Sequence, residues 1–289
     1  MSRIAAIGVP LDGSDTALRS LGAAAWLGSR LGARVHLLHA GAVRGREETL
    51  ARLRVPPKYH GLCEVHSMPG DPAEVILTAE ARYGLGLLIM TSGGASADVQ
   101  PPLEGVGRVA RAVIERSRSP VVLLPPRYRE ALPWRSAVVP LSGEPGTDES
   151  LAAALPLAHA LDLRVTVAHV VSATAPPGGA AVGSDEAHHE LPSLLNELVE
   201  RACPLCSAAE RARIEDFRLY QGDVADKLEQ LIAEKDPSLL VIGWHGRFMA
   251  GHARVLKALI ETVSCPLLLI KPTPREPFRL KVGEAALDR

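Results

Sequence analysis

Apolar runs of strand length alternate along this chain with stretches whose apolar residues recur at helical spacing. Residues 4–10 (IAAIGVP) form the first run, continuous enough for a strand buried on both faces. Ser14 or Asp15 can cap the helix that follows. Ala17, Leu21, Ala24, Leu27 and Leu31 share one face of that helix, and Gly32 ends it. RVHLLHA (34–40) and CEVHSM (63–68) read as the next two strands. Asp71 caps a second helix with Pro72 in its first turn, where the missing N–H is harmless. LGLLIM (85–90), a helix over about 107–118 and PVVLL (120–124) complete the unit.

The unit then repeats. IAAIGVPLDG (4–13) returns as SAVVPLSGEP (136–145), and MPGDPAEVILTAE (68–80) as YQGDVADKLEQLIAE (220–234). GLLIMTSGG (86–94) returns as SLLVIGWHG (238–246), and the stretch ending PVVLLPP (120–126) as the one ending PLLLIKP (266–272). Gly70 and Gly94 lie 24 residues apart, as do Gly222 and Gly246. Blocks kept in order at matched spacing indicate duplication. The expected units are 1–132 and 133–274, the second with an insertion at about 172–215, followed by a tail at 275–289. Pro156 should kink the first helix of the second unit.

Buried strands separated by helices predict an α/β fold: two doubly wound, mostly parallel five-stranded sheets with helices on both faces. In such sheets ligands sit beyond the carboxyl ends of the strands, where strand order reverses. The candidates are therefore Pro10 and Asp12 after the first strand and Thr91 to Gly94 after the fourth, with Pro140, Ser142, Gly243, Trp244, His245 and Gly246 as their counterparts. Glycine at a strand end lets backbone N–H groups approach phosphate oxygens. The helices starting near Gly107 and Ala253 would add free N–H donors and a partial positive charge.

VPLDGSD, GDPAE, IGWHGR and the Arg-Val helix leading to SPVVLL together resemble the universal stress protein family, over nearly the whole chain and twice over. The resemblance implies tandem Rossmann-like domains of the adenine-nucleotide alpha hydrolase type. They would form an internal pseudo-dimer joined through the last strands, 120–124 and 266–270. It also implies ATP or another adenine nucleotide as ligand, held through Gly-x-x-Gly, nine residues, then Gly-Ser or Gly-Thr. Both halves depart from that motif. The first has Thr91 for the leading glycine, keeps Gly94, and spaces it twelve residues from Gly107-Arg108. The second keeps Gly243 and Gly246, with His245 bracing the loop, but has six residues before Ala253-Arg254. The family's aspartate is Asp12 in the first half and is replaced by Ser142 in the second. Arg108 and Arg254 either grip a phosphate as guanidinium forks, or fill its old place, or simply point to solvent at a helix start.

Composition narrows the function further. A net charge of −1 and 3% aromatic residues argue against a nucleic-acid surface. No apolar run reaches the length of a membrane helix, and no signal peptide is visible, so a cytoplasmic location is the default expectation. Cys203-Pro-Leu-Cys206 lies near His188 and His189 and admits a zinc or redox reading; the preferred one is a buried pair of small side chains, with Cys63 and Cys265 as core, so no metal is expected. His39, at a strand end, is expected to be solvated. No base and nucleophile are arranged for hydrolysis. The expectation is a non-enzymatic stress or signalling protein with a degenerate adenine-nucleotide pocket in each half, a monomer or homodimer. The alternatives are an interaction module that no longer binds nucleotide and acts on a protein partner through its insertion or tail, and, more weakly, a slow ATP hydrolase.

Overall fold

The computed structural model describes residues 4–94, 106–141, 145–171, 197, 199–244, 246 and 253–271. The first half carries β1 (Ala6–Pro10), β2 (Arg34–Ala40), β3 (Cys63–Met68), β4 (Leu87–Thr91) and β5 (Val121–Leu124). The second carries β6 (Ser136–Leu141), β7 (Arg164–Val171), β8 (Ile214–Gln221), β9 (Leu239–Gly243) and β10 (Leu267–Ile270). They form one ten-stranded sheet in the order β3-β2-β1-β4-β5-β10-β9-β6-β7-β8. Pairing is parallel throughout each half. At the centre β5 and β10 run antiparallel, with Leu268 opposite Val122. Each half is therefore the parallel α/β sheet the sequence predicts, and the halves join edge to edge through their last strands. Strand order reverses between β1 and β4, and again between β6 and β9.

Alternate residues of each strand feed two cores. Ile7, Val9, Leu37, Ile89, Val122, Val139, Val167, Val241 and Leu268 point to one face. There they meet α2 (Ser20–Leu31) and α6 (Pro145–Leu161) in a cluster running through both halves. Trp26 and Trp134 pack across it with ring centroids 5.1 Å apart. Leu38, Leu88, Leu123, Leu240 and Leu269 point to the other face. It is covered by α4 (Pro72–Tyr83), α5 (Arg108–Arg116), α8 (Val224–Lys235) and α9 (Arg254–Thr262). Burying each such side chain contributes roughly 1.5–3 kcal/mol.

Local differences from the sequence reading have identifiable causes. The first helix is split into α1 (Asp15–Leu18), capped by Ser14, and α2. At the break, the Arg19 guanidinium donates to the Pro126 carbonyl at 3.3 Å and also to that of Tyr128, tying the helix to the chain that enters the second half. α3 (Arg46–Arg52) and a 3-10 turn at Pro57–Leu62 add structure between β2 and β3 that the pattern left undescribed. α6 runs unbroken through Pro156, which is buried. A short α7 (Ala208–Arg211), held by a capping box between Ser207 and Glu210, lies inside the expected insertion, and β8 begins before that insertion's expected end. The loop at 172–190, the tail at 275–289, and His188, His189 and His245 lie outside the described residues. No helix among the described residues is long and apolar enough to cross a membrane.

Two side-chain readings are corrected. Cys203 and Cys206 are buried as expected but are joined as a disulfide. The turn after the helical residues at 199–202 brings their Cα atoms to 5.4 Å, within bonding range. His39 is buried, because its ring folds under the loop after β1 and Nδ1–H donates to the Leu11 carbonyl at 3.1 Å. Cys265 is core as expected, and burial pushes its thiol up to about 12.

Candidate functional site

The first reversal of strand order gathers Asp12, Gly94 and Gly107. Pro10 ends β1 beside Leu38. The chain then turns through Gly13, whose φ of +86° is costly for a residue with a Cβ. The Asp12 carboxylate accepts from the Ser14 N–H at 2.9 Å and its hydroxyl at 2.6 Å. Its other oxygen abuts Gly94, where any Cβ would collide with it. After β4, Ser92 N–H donates to Leu124 at 2.9 Å, and Gly107 N–H donates to the Ser92 carbonyl at 2.6 Å. A Cβ on Gly107 would stand 3.2 Å from that carbonyl, so the loop and the start of α5 touch backbone to backbone. Gly107 caps α5 without a side-chain hydrogen bond, leaving the first-turn N–H groups of α5 uncapped by it.

The second reversal is built on the same plan with different parts. Trp244 N–H donates to Ile270 at 3.0 Å, as Ser92 does to Leu124. His169 Nδ1–H donates to the Leu141 carbonyl at 3.0 Å, matching His39 on Leu11. Gly243 closes β9, and Gly246 follows with φ of +81°. A Cβ on Gly246 would lie 3.0 Å from Lys271 Cδ. Lys271 reaches into the first half, donating to the Glu115 carbonyl at 3.1 Å. Burial pulls its ammonium below the usual lysine range, against the raising influence of Glu80 and Glu115.

Both arginine side chains are largely exposed at a helix start, as the solvent-facing reading expected, and each also meets the carboxylate of a helix cap. Arg108 Nη1 stands 3.4 Å from the carboxylate of Asp71, the residue that caps α4. Arg254 pairs in the same way with Asp223, the cap of α8. Burial would push the Asp71 carboxyl up, but the Ala73 and Glu74 N–H groups and Arg108 together hold it below the usual range. Asp223 is lowered by the Asp226 N–H first, against burial, and then by the Ala225 N–H and Arg254. Both guanidiniums therefore staple one helix start to the next. A Gly-Asp block and an arginine far along the chain were both visible in the sequence, but their partnership needed the fold.

The universal stress protein family model matches residues 133–271. Residues 133–271, the second half of the chain, belong to the universal stress protein family. Solved structures extend the likeness across both halves. A universal stress protein from Archaeoglobus fulgidus DSM 4304 is 16% identical with a TM-score of 0.63, covering 93% of this chain and 98% of that one. A functionally unknown protein from Pseudomonas aeruginosa PAO1 is 17% identical with a TM-score of 0.61, covering 93% of each chain. At such identities these likenesses speak to the fold. No curated protein matches the chain. The likeness over 93% of the chain fits the same fold in both halves.

Proposed function

We propose that this universal stress protein binds one adenine nucleotide, ATP or a relative, at the first strand-order reversal, and acts as a non-hydrolysing stress or signalling sensor. The supporting observation is the convergence of the Asp12 carboxylate, Gly94 and the start of α5 at Gly107. Asp12 offers an acceptor suited to ribose hydroxyls or the adenine amino group. The α5 N-terminus offers donors and positive potential to phosphates. Asp12 is engaged with Ser14, and the His39 Nδ1–H with the loop carbonyl above it. Both side chains thus hold the loop, which favours binding over water activation. The second half, with Ser142 for the aspartate and Lys271 crowding Gly246, is the weaker site in this reading.

Fluorescent-ATP titration of the full chain tests this. Asp12→Ala removes an ionised hydrogen-bond partner worth about 1.5–3 kcal/mol, so affinity should fall roughly ten- to 150-fold. Gly94→Asp should abolish binding, and Gly246→Asp should leave it intact. Binding lost only in Gly246→Asp would move the site to the second half. No binding at millimolar ATP would retire the reading, and phosphate release above background would overturn its non-hydrolysing part.

A further inference from the structure

The β2–β3 corner of the first half holds a set of side chains that the nucleotide reading does not use. In the parallel register His36 stands opposite Glu64, and Leu38 opposite His66. Residues two apart on a strand share a face, so His36, Glu64 and His66 lie side by side beneath the C-terminal end of α4. Their ligand-type atoms converge: His36 Nδ1 to His66 Nε2 is 3.0 Å, His36 Nδ1 to Glu64 Oε2 is 3.6 Å, and His66 Nε2 to Glu64 Oε2 is 4.0 Å. The Tyr83 ring stacks on His66 at 4.1 Å and fixes its plane. His36 is buried within the sheet, and Glu64 is half exposed.

We propose that His36, Glu64 and His66 bind one divalent cation of the zinc class, with the fourth position open to solvent on the Glu64 side. Tetrahedral zinc with bonds of about 2.0–2.1 Å places its ligand atoms roughly 3.3 Å apart, close to the spacing of this trio. Two imidazoles and a carboxylate are the donor set of borderline transition ions and not of calcium or magnesium. Neutral imidazole is the form that ligates a metal ion, so protonation and ion uptake compete at these two rings. The nearby cations are Arg34, 3.6 Å from Glu64, and Arg82, which lies over the Tyr83 ring.

The second half supplies an internal control. At the matching positions Thr166 stands opposite Asp216, and Ala168 opposite Arg218. There Asp216 takes Lys235 Nζ at 2.8 Å and Arg218 Nε at 2.9 Å. Lys235 is the last residue of α8, as Tyr83 is of α4. The same corner thus meets its carboxylate with fixed protein cations in one half. In the other it meets it with two imidazoles, the side chains that a metal ion would join to it.

The test is zinc uptake by the full chain after stripping with EDTA, read as metal content after dialysis, with the visible spectrum of the cobalt form as a second readout. About one ion per chain is expected, with nitrogen and oxygen ligands in the cobalt spectrum. Loss of an outer-shell partner alone weakens metal sites about 10–100-fold, so His66→Gln and Glu64→Gln should weaken binding by at least tenfold. Circular dichroism confirms that each variant is folded, and the partly exposed His66 and Glu64 avoid the packing loss expected at His36. Replacing all four cysteines by serine should leave uptake unchanged. A simple hydrogen bond between the rings predicts no stoichiometric ion, and that result overturns the site. So does uptake indifferent to His66→Gln and Glu64→Gln, or lost with the cysteines.

Discussion

In the first half the helix behind the strand-order reversal begins at Gly107 with φ of −67°; in the second it begins at Ala253 with φ of 58°. The glycine sits where any side chain would press on the Ser92 carbonyl, yet its backbone is one every residue adopts. The alanine sits in the left-handed region, where glycine is the usual choice. Around these two positions the halves agree closely. His39 and His169 brace the loop after the first strand of each half, and Arg108–Asp71 is matched by Arg254–Asp223. The duplicated contacts hold elements in place. The unmatched features, namely Asp12 where the second half has Ser142, Gly107, Ala253 and the Gly246–Lys271 contact, lie at the two strand-order reversals. Packing accounts for the matched contacts, and the proposed nucleotide site lies among the unmatched ones.

The largest effect is expected where the halves are not separate. Leu268 is 1% exposed and pairs with Val122 across the central seam. Leu268→Ala should cost about 2–5 kcal/mol. Because one core cluster runs through both halves, urea unfolding followed by tryptophan fluorescence and by circular dichroism should shift to a lower midpoint as one coincident transition. Two separated transitions would mean that the halves are thermodynamically independent, and the comparison would then be between two proteins in one chain.

The second effect exchanges the helix starts. Ala253→Gly relieves a left-handed alanine and should stabilise by about 1 kcal/mol. Gly107→Ala pushes a methyl toward the Ser92 carbonyl and should destabilise by a similar amount. Opposite signs in denaturant midpoints would establish that one start is limited by dihedral angle and the other by space. Equal signs would remove that distinction.

Much of this was legible beforehand. The apolar runs and the recurring blocks marked out the strands, their parallel sheet and the residues at both reversals of strand order, because buried parallel strands leave continuous patterns. What escaped was long-range side-chain pairing. Asp71 was visible as a helix cap but not as a partner of Arg108, 37 residues on. His36 and His66 sit in different strands, and only the parallel register brings their nitrogens to 3.0 Å. The burial of His39 depends on a carbonyl 28 residues earlier. Pattern carries local structure and which face is buried. It does not carry which polar groups meet across the sheet.

The smallest effect tests whether the matched caps are equivalent. Asp71 and Asp223 each have a folded-state pKa depressed below the usual aspartate value of about 3.9. A depressed carboxyl contributes stability that is present above the unfolded pKa and fades as pH falls through the folded one. Asparagine can still accept the helix N–H groups, so Asp71→Asn and Asp223→Asn remove the charge and keep the cap. Each variant should be less stable than the parent at pH 6, and the gap should close as the pH drops below about 4. Urea midpoints across that window measure it. If the gap closes alike for both, the arginine–cap pairing is one duplicated device. If it closes for Asp71 and not for Asp223, the two staples differ, and the halves are unlike in their scaffold as well as at their strand-order reversals.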